Sequence, residues 1–200
     1  RNLDRLTPAH VQAIAELVFM EMLQAGFASV AEFHYLHHDV SGTRYTNIAE
    51  MSERIVAAAT NTGIGLTLLP VLYQFGGCDQ RPLLGGQQRF GNTPDQFHRL
   101  HDQAAKALSK GAHDFRIGVA PHSLRAIGPK DLTQIPEMAH DAPIHIHIAE
   151  QPKEVADISQ WLGARPVEWL LNNADVSDQW CLIHATHMTS GETVEMARSG

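Results

Sequence analysis

Residues 143–150 read Pro-Ile-His-Ile-His-Ile-Ala-Glu, and this stretch decides the fold. Its isoleucines alternate with His145 and His147, which predicts a β-strand because successive strand residues point to opposite faces. The isoleucine face needs an apolar layer, and the histidine face points towards a shared interior. Glu150 follows the strand directly, and Pro152 then begins a helical segment. Imidazoles on one face and a carboxylate at the C-terminal exit are typical of the functional edge of a parallel α/β barrel. A buried strand whose histidines are satisfied by hydrogen bonds is the simpler alternative.

The rest of the chain repeats the same strand-then-helix pattern. Further strands are predicted over 29–35, 64–72, 115–120 and 180–184. Helices are predicted from Pro8 to Gly26 and over 47–62, 94–110, 129–139, 153–163, 166–173 and 189–199. The strand over 64–72 is continuously apolar, as in a parallel sheet buried on both faces. The alternation predicts an α/β fold. An open dinucleotide-binding sheet would share this order, but no G-x-G-x-x-G follows any strand.

Composition limits the classes of function. The chain is 44% hydrophobic and 18% charged with a net charge of −7, which is typical of a globular domain and argues against a nucleic-acid surface. No apolar run approaches the length of a membrane span. Cys78 and Cys181 do not form a C-x-x-C, so neither a disulfide framework nor a cysteine-rich zinc site is predicted. A reducing, cytoplasmic location is the default expectation. Thirteen histidines remain as the unusual feature.

Titratable and aromatic side chains follow nearly every predicted strand. They are Tyr35, His37 and His38 after the first strand, Tyr73 after the second, His122 and Arg125 after the third, His147 and Glu150 on and after the fourth, and His184 and His187 after the fifth. In a β/α barrel the active site lies at this end of the strands. Loops are often polar, but rarely through histidines placed at strand ends. The bias therefore predicts an active site at that edge.

Histidine clusters of this kind suit a divalent metal. Neutral imidazole is a common ligand for zinc, and a zinc site needs several such donors. His147 is the best ligand candidate. Glu150 could lie beside a metal-activated water and carry its protons, and His184 would face the same water. Arg125 offers a planar donor pair suited to a substrate carboxylate, although a surface ion pair is its ordinary alternative.

These motifs carry a family resemblance. His147 with Glu150 three residues later, followed by Cys-Leu-Ile-His-Ala-Thr-His over 181–187, resembles the amidohydrolase superfamily. Within it, A-E-F-H-Y-L-H-H-D (31–39), L-L-G-G-Q-Q-R-F (83–90) and V-A-P-H-S-L-R-A-I (119–127) resemble the formimidoylglutamate deiminases. The resemblance implies a zinc enzyme that hydrolyses N-formimidoyl-L-glutamate to N-formyl-L-glutamate and ammonia. It also implies a homodimer.

The resemblance implies a role for each candidate at the reacting end. His147 is similar to the zinc ligand on the fifth barrel strand, Glu150 to the proton shuttle, and His184 to the residue that orients and polarises the attacking hydroxide. The other ligands of the family, an H-x-H pair on the first strand and an aspartate on the last, have no match here. We therefore expect this chain to supply one ligand of four and not to hold zinc tightly by itself. Iron(II) would accept the same ligands.

The resemblance also implies how substrate and fold are completed. His122, Arg125 and Tyr35 are similar to the groups that hold the glutamate end of the substrate. The fold implied is a partial (β/α)8 TIM barrel, with strands 2 to 6 and their helices present, and strand 1, strands 7 and 8 and the family's β-sandwich absent. On this hypothesis residues 1–200 are one hydrolase barrel domain, incomplete at both ends and internal to a longer protein.

Two other hypotheses stay open. The chain could belong to another deaminase of the superfamily that acts on a purine, a pyrimidine or a guanidine-like substrate. It could also be a non-catalytic α/β domain whose histidines are core residues. A deaminase for nucleobases would not need Arg125, whereas an enzyme for acidic substrates would. A non-catalytic domain would not need Glu150, whereas any enzyme of this class would.

Overall fold

The computed structural model describes residues 3–200 and has an α/β fold with parallel strands. The chain forms two compact units. The first comprises the chain up to Leu72 together with Leu84–Gly118, and the second comprises Tyr73–Leu83 and Val119–Gly200. Within residues 3–200, no helix combines the length and the apolar character that crossing a bilayer requires.

The first unit has a parallel sheet with helices packed on it. Its strands are β1 (Ser29–His34), β2 (Gly65–Leu72) and β3 (Arg116–Ile117), in the order β1-β2-β3. Its helices are α1 (Pro8–Gln24), α2 (Glu50–Thr62) and α3 (Pro94–Leu108), with 3-10 turns at Leu3–Arg5 and Gly85–Arg89. The core of this unit includes Phe19, Ile55, Ala59, Leu66 and Leu68, none more than 4% exposed. Burial of these apolar side chains is the main contribution to its stability.

Threonine hydroxyls cap two of the helix starts in this unit. The Thr7 hydroxyl accepts the His10 N–H at 3.4 Å, and Thr93 accepts the Gln96 N–H at 3.3 Å. A proline follows each threonine, where its missing N–H costs nothing. The predicted start of α2 was three residues early. Asn47 instead accepts the Ala49 N–H at 3.1 Å and forms a turn before the helix.

The second unit has the strand of the opening quotation at its centre. Its strands are β4 (Ala120–Pro121), β5 (Ile144–Ile148) and β6 (Trp180–His184), and its helices are α4 (Pro129–Leu132), α5 (Ile135–Ala139), α6 (Pro152–Leu162), α7 (Pro166–Asn173) and α8 (Ser190–Arg198). β5 and β6 pair in parallel, from Ile144 opposite Trp180 to Ile148 opposite His184. The three isoleucines of β5 are 0% exposed, and its two histidines are half-buried. The predicted alternation along β5 is confirmed.

Two predicted elements are each divided in the structure. The strand expected over 115–120 is present as β3 and β4, and its hydrogen bonding changes between them. Gly118 N–H donates to Leu68 O at 2.8 Å, whereas Val119 N–H donates to Pro143 O at 3.0 Å. The prediction of a single helix over 129–139 was wrong, because α4 ends before α5 begins. Pro136 has no N–H to donate to Leu132, so a continuous helix would lose a hydrogen bond there.

Three histidines of the first unit are buried near the end of β1. His34, His37 and His38 are 4%, 1% and 2% exposed. His37 Nε2 donates to Val71 O at 2.9 Å, and His38 Nε2 donates to Gly91 O at 2.7 Å. Burial lowers the pKa of His34 to about 4 and lowers the pKa of His37 well below its ordinary value. The folded first unit therefore holds neutral imidazoles that the unfolded chain would protonate below about pH 6.5.

The difference in the pKa of His34 between the folded and the unfolded chain predicts that the fold loses stability in acid. Between pH 6.5 and 4 the unfolded chain binds a proton at His34 that the folded chain does not, so stability falls as pH falls through this window. From pH 7 to pH 5, His34 alone should lower the free energy of unfolding by about 2 kcal/mol. Urea denaturation across this range checks the slope. His34→Gln should reduce the slope, and His113→Gln, at an exposed position, should not. Equal slopes in the two variants would contradict the prediction.

Candidate functional site

His122 and His147 are brought together by parallel pairing within the second unit. His147 lies on the histidine face of β5, and its N–H donates to His122 O at 3.0 Å. This bond places the two residues side by side at the strand ends. Their ring centroids are 5.4 Å apart, with the ring planes 34° from parallel.

His184 reaches the same place through an unusual backbone conformation. It is paired with Ile148 at the end of β6, so strand alternation alone would direct its side chain to the isoleucine face. However, His184 has φ +69° and Ala185 has φ +50°, both in the left-handed region. Such a turn takes the chain out of strand geometry. The His184 ring centroid lies 5.3 Å from that of His147, on the histidine side.

Glu150 is positioned by a second left-handed turn, at the end of β5. Ala149 has φ +50°, which breaks the alternation before Glu150. The Glu154 carboxylate accepts the N–H groups of Ala149 and Glu150, at 3.2 and 2.9 Å. Glu150 Oε2 then lies 3.8 Å from His184 Nε2, with the two side chains 40% and 39% exposed. A carboxylate and an imidazole are thus adjacent and open to small molecules.

The left-handed turns that follow β5 and β6 are hydrogen-bonded to each other. Ala185 N–H donates to Ile148 O at 3.0 Å, and His187 N–H donates to Ala149 O at 3.0 Å. The left-handed residues at the ends of β5 and β6 therefore stabilise one another through the backbone. His187, which follows a predicted strand, serves here as a donor within the loop.

Arg125 and Tyr73 extend the site beyond His122. The Tyr73 ring meets His122 edge-on, with centroids 4.5 Å apart, and Arg125 Nη1 donates to the Tyr73 hydroxyl at 3.4 Å. His122 is 9% exposed, and its Nδ1 is 2.9 Å from Ser123 Oγ. Tyr73 lies at a predicted strand end, but the sequence indicates no role for it at the site. Its apolar surroundings in the sequence contain no sign of a contact 52 residues away.

The electrostatic environment favours neutral imidazoles at His122 and His147. Burial lowers the pKa of His122 to about 3, and the charges of Arg125 and His147 act in the same direction. Burial also lowers the pKa of His147, with His184 adding to the effect. A neutral imidazole keeps a lone pair that can bind a metal or accept a proton. At neutral pH, His122 and His147 are therefore able to act as ligands or hydrogen-bond acceptors.

Tyr35 belongs to the first unit and is described within it. It follows β1, is 38% exposed, and packs edge-on against Phe90 with centroids 4.8 Å apart. Its role at the substrate stays a prediction. Of the six predicted site residues, the other five (His122, Arg125, His147, Glu150 and His184) lie in the second unit at its strand ends.

The donor set suits a metal only in part. Among residues 3–200, no three or more His, Cys, Asp or Glu side chains are grouped so as to hold a metal ion. His147 can contribute one neutral imidazole, beside a carboxylate and a second imidazole that could act on a water. A structural or catalytic zinc needs at least three protein ligands. The described residues therefore fit a share of a zinc site rather than a complete one.

Glu154 is predicted to be required for the turn that carries Glu150. Glu154→Ala leaves two N–H groups without their acceptor and should lower the free energy of unfolding by about 1–2 kcal/mol. Glu154→Gln keeps one acceptor oxygen and should cost less. Chemical denaturation measures both. Lys153→Gln, which removes only an exposed ion pair with Asp157, is the matched control and should be near neutral. A Glu154→Ala variant as stable as this control would contradict the prediction.

The chain is similar to known proteins along almost its whole length. The pattern of the amidohydrolase family matches residues 2–199. The formimidoylglutamate deiminase of Pseudomonas aeruginosa is 46% identical over 201 residues, covering 100% of this chain and 44% of its own length. A crystal structure of an amidohydrolase from Brucella melitensis is 50% identical with a TM-score of 0.96, over 99% of this chain and 44% of that one.

A more distant structure shares the fold alone. The atrazine chlorohydrolase from Arthrobacter aurescens TC1, solved in complex with zinc, is 20% identical with a TM-score of 0.79, over 98% of this chain and 42% of that one. The chain thus spans less than half the length of these proteins. With a family match along almost its whole length, the chain belongs to the amidohydrolase family.

Proposed function

We propose that this chain carries part of the active site of a formimidoylglutamate deiminase, which hydrolyses N-formimidoyl-L-glutamate to N-formyl-L-glutamate and ammonia. The observation that supports this most is the grouping of His147, Glu150 and His184 at one edge. Arg125 is linked to this group through its contact with Tyr73, which packs on His122. The 46% identity to a formimidoylglutamate deiminase supports the choice of substrate. In the reaction a water oxygen bonds to the formimidoyl carbon. The bond from this carbon to the terminal nitrogen breaks, and that nitrogen leaves as ammonia.

We further propose that His147 is one ligand of a zinc ion, with iron(II) as the alternative metal. The remaining ligands would come from outside residues 3–200, since these residues hold no complete donor group. When bound, the metal supplies a Lewis acid that lowers the pKa of water, so a nucleophile is available at neutral pH. The depressed pKa of His147 favours the neutral form that a metal ligand needs.

Glu150 and His184 are proposed to have different roles in activating the water and protonating the leaving group. Glu150 takes a proton from the attacking water and returns it to the departing nitrogen, for which a carboxylate open to solvent is suited. His184 is proposed to hold and polarise the same water from the neighbouring strand. The 3.8 Å between Glu150 Oε2 and His184 Nε2 allows both groups to reach one small molecule.

The other end of the substrate is proposed to bind along His122, Arg125 and Tyr35. Arg125 can present two N–H groups to a carboxylate of the glutamate moiety. His122, buried and neutral, would contribute a hydrogen bond beside it. A substrate that bears carboxylates matches these groups better than a nucleobase does.

The wider assignments are proposals on the same basis. We propose that the strands of residues 1–200 correspond to strands 2 to 6 of a (β/α)8 barrel, a hydrolase domain completed by sequence that the relatives have beyond their match to this chain. We also propose participation in histidine degradation, a homodimeric state and a cytoplasmic location, and the similarity to a formimidoylglutamate deiminase supports these proposals.

Arg125→Met tests the choice of substrate. Loss of charge-assisted hydrogen bonds to a carboxylate should raise KM for N-formimidoyl-L-glutamate by roughly 10- to 100-fold. Steady-state ammonia release measures this in the full-length protein. Formamidine, which has no carboxylate, should show no comparable change, and Arg198→Met, at an exposed arginine, should behave as the unaltered protein. If KM is unaffected, the assignment to acidic substrates loses its support and another deaminase of the superfamily is favoured.

Glu150→Gln tests the proton-transfer role. The substitution keeps the shape of the side chain and removes its basicity, so kcat should fall by roughly 100- to 10,000-fold with little change in KM. Glu137→Gln on α5, at an exposed position, provides the matched control. Unchanged kcat would favour a different mechanism or a non-catalytic domain.

A further inference from the structure

Arg165 and Glu192 form an ion pair in the second unit, in which Glu192 is buried and Arg165 is partly exposed. Arg165 directly precedes α7, and Glu192 lies in the first turn of α8. Arg165 Nε is 3.1 Å from Glu192 Oε2, and the side chain of Glu192 is 6% exposed. The side chain of Arg165 is 35% exposed. The buried Glu192 carboxylate therefore needs hydrogen bonds besides the one from Arg165 to offset its desolvation.

Those hydrogen bonds come from the segment that follows β6. Arg165 Nη2 donates to His187 O, and Glu192 Oε2 accepts the Thr189 N–H at 2.7 Å. Glu192 Oε1 accepts the Glu168 N–H at 3.3 Å. The two charged groups therefore hold both ends of the short stretch from His187 to Thr189.

Glu192 is charged in this arrangement. Burial acts to raise its pKa, but the hydrogen bonds from Thr189 and Arg165 outweigh burial and hold the pKa below its ordinary value. A carboxylate that stays ionised keeps its attraction for Arg165 through the neutral pH range.

The held stretch is continuous with the left-handed turn at His184. His187 donates its N–H to Ala149 O while its carbonyl accepts from Arg165, so the residue is fixed on both sides. His184 and Ala185, with φ +69° and +50°, adopt a conformation that L-residues maintain only when surrounding interactions impose it. Fixing His187 three residues later restricts the return of this turn to ordinary strand geometry.

We propose that the Arg165–Glu192 pair is a latch that maintains the left-handed turn at His184 and so orients its imidazole towards Glu150. This inference rests on the proposed function, in which His184 acts on the water. Arg165 is a positioning residue, because its guanidinium binds Glu192 and His187 O rather than the edge that carries Glu150. The competing explanation is an ion pair that only joins α7 to α8.

The first test is kinetic and uses the full-length protein. Arg165→Met should lower kcat about tenfold, with KM changing less than about threefold, because a displaced catalytic group affects turnover more than binding. Glu195→Gln, which breaks an exposed ion pair with Arg198 on the same helix, should change neither. Unchanged kcat, or a rise in KM at constant kcat, would overturn the proposal.

A double-mutant cycle separates positioning from a general structural effect. In a His184→Asn background the imidazole is absent, so Arg165→Met should lower kcat by less than about twofold. If the tenfold loss persists in this background, Arg165 does not act through His184. Arg165→Lys keeps a charge for Glu192 but cannot also reach His187 O, so it should show a smaller loss in the same direction and covers the case in which Arg165→Met fails to fold.

Hydrogen exchange tests the latch independently of any substrate. Arg165→Met should raise the exchange rates of the Ala185 and His187 amides about tenfold, since local opening governs exchange. Val155→Ala, a stability control in α6, should not affect these amides selectively. If the unaltered protein releases no ammonia from N-formimidoyl-L-glutamate, the proposed function fails. The amide exchange rates still test whether Arg165 and Glu192 maintain the turn. If exchange at both amides is unchanged, the latch is overturned whatever the activity.

Discussion

The left-handed turns at the ends of β5 and β6 determine where the reactive side chains of the second unit point. Regular strand alternation would place His184 and Glu150 on the isoleucine face, away from His147. Positive φ angles at Ala149 and His184 break the alternation, and Glu150 and His184 come within 3.8 Å of each other. Each such residue costs on the order of 1 kcal/mol. The backbone bonds between the two turns, and the Glu154 carboxylate, offset that cost.

The two faces of β5 have different roles. Its isoleucines, fully buried, provide the apolar layer that stabilises the strand, and its histidines face the proposed reaction centre. Burial on that side keeps the pKa of His122 and His147 low, so both imidazoles are neutral where a ligand or acceptor is needed. The same strand thus links the stability of the second unit to the chemistry proposed for it.

Much of the fold could be predicted because it depends on local patterns. The Thr-Pro helix starts, the apolar run of β2 and the alternation of β5 each have a direct sequence signal. Gly118 and Pro136 are sequence signals of the breaks in the predicted strand and helix, because glycine weakens a strand and proline lacks the N–H that a continuous helix needs. For the site, the positions at strand ends predicted that His147, Glu150 and His184 lie together, whereas the role of Tyr35 stays a prediction. The left-handed turn at His184 was not predictable, because histidine adopts this conformation only occasionally, alanine has no preference for it, and distant groups impose it.

The central claim is that His147, Glu150 and His184 serve one reaction centre whose substrate extends to Arg125. The most direct measurement is a crystal structure of the full-length protein with N-formyl-L-glutamate, the proposed product. We expect the formyl group within about 3.5 Å of Glu150 or His184, and a glutamate carboxylate on Arg125. A ligand bound elsewhere, or His147 and His184 facing separate pockets, would contradict it.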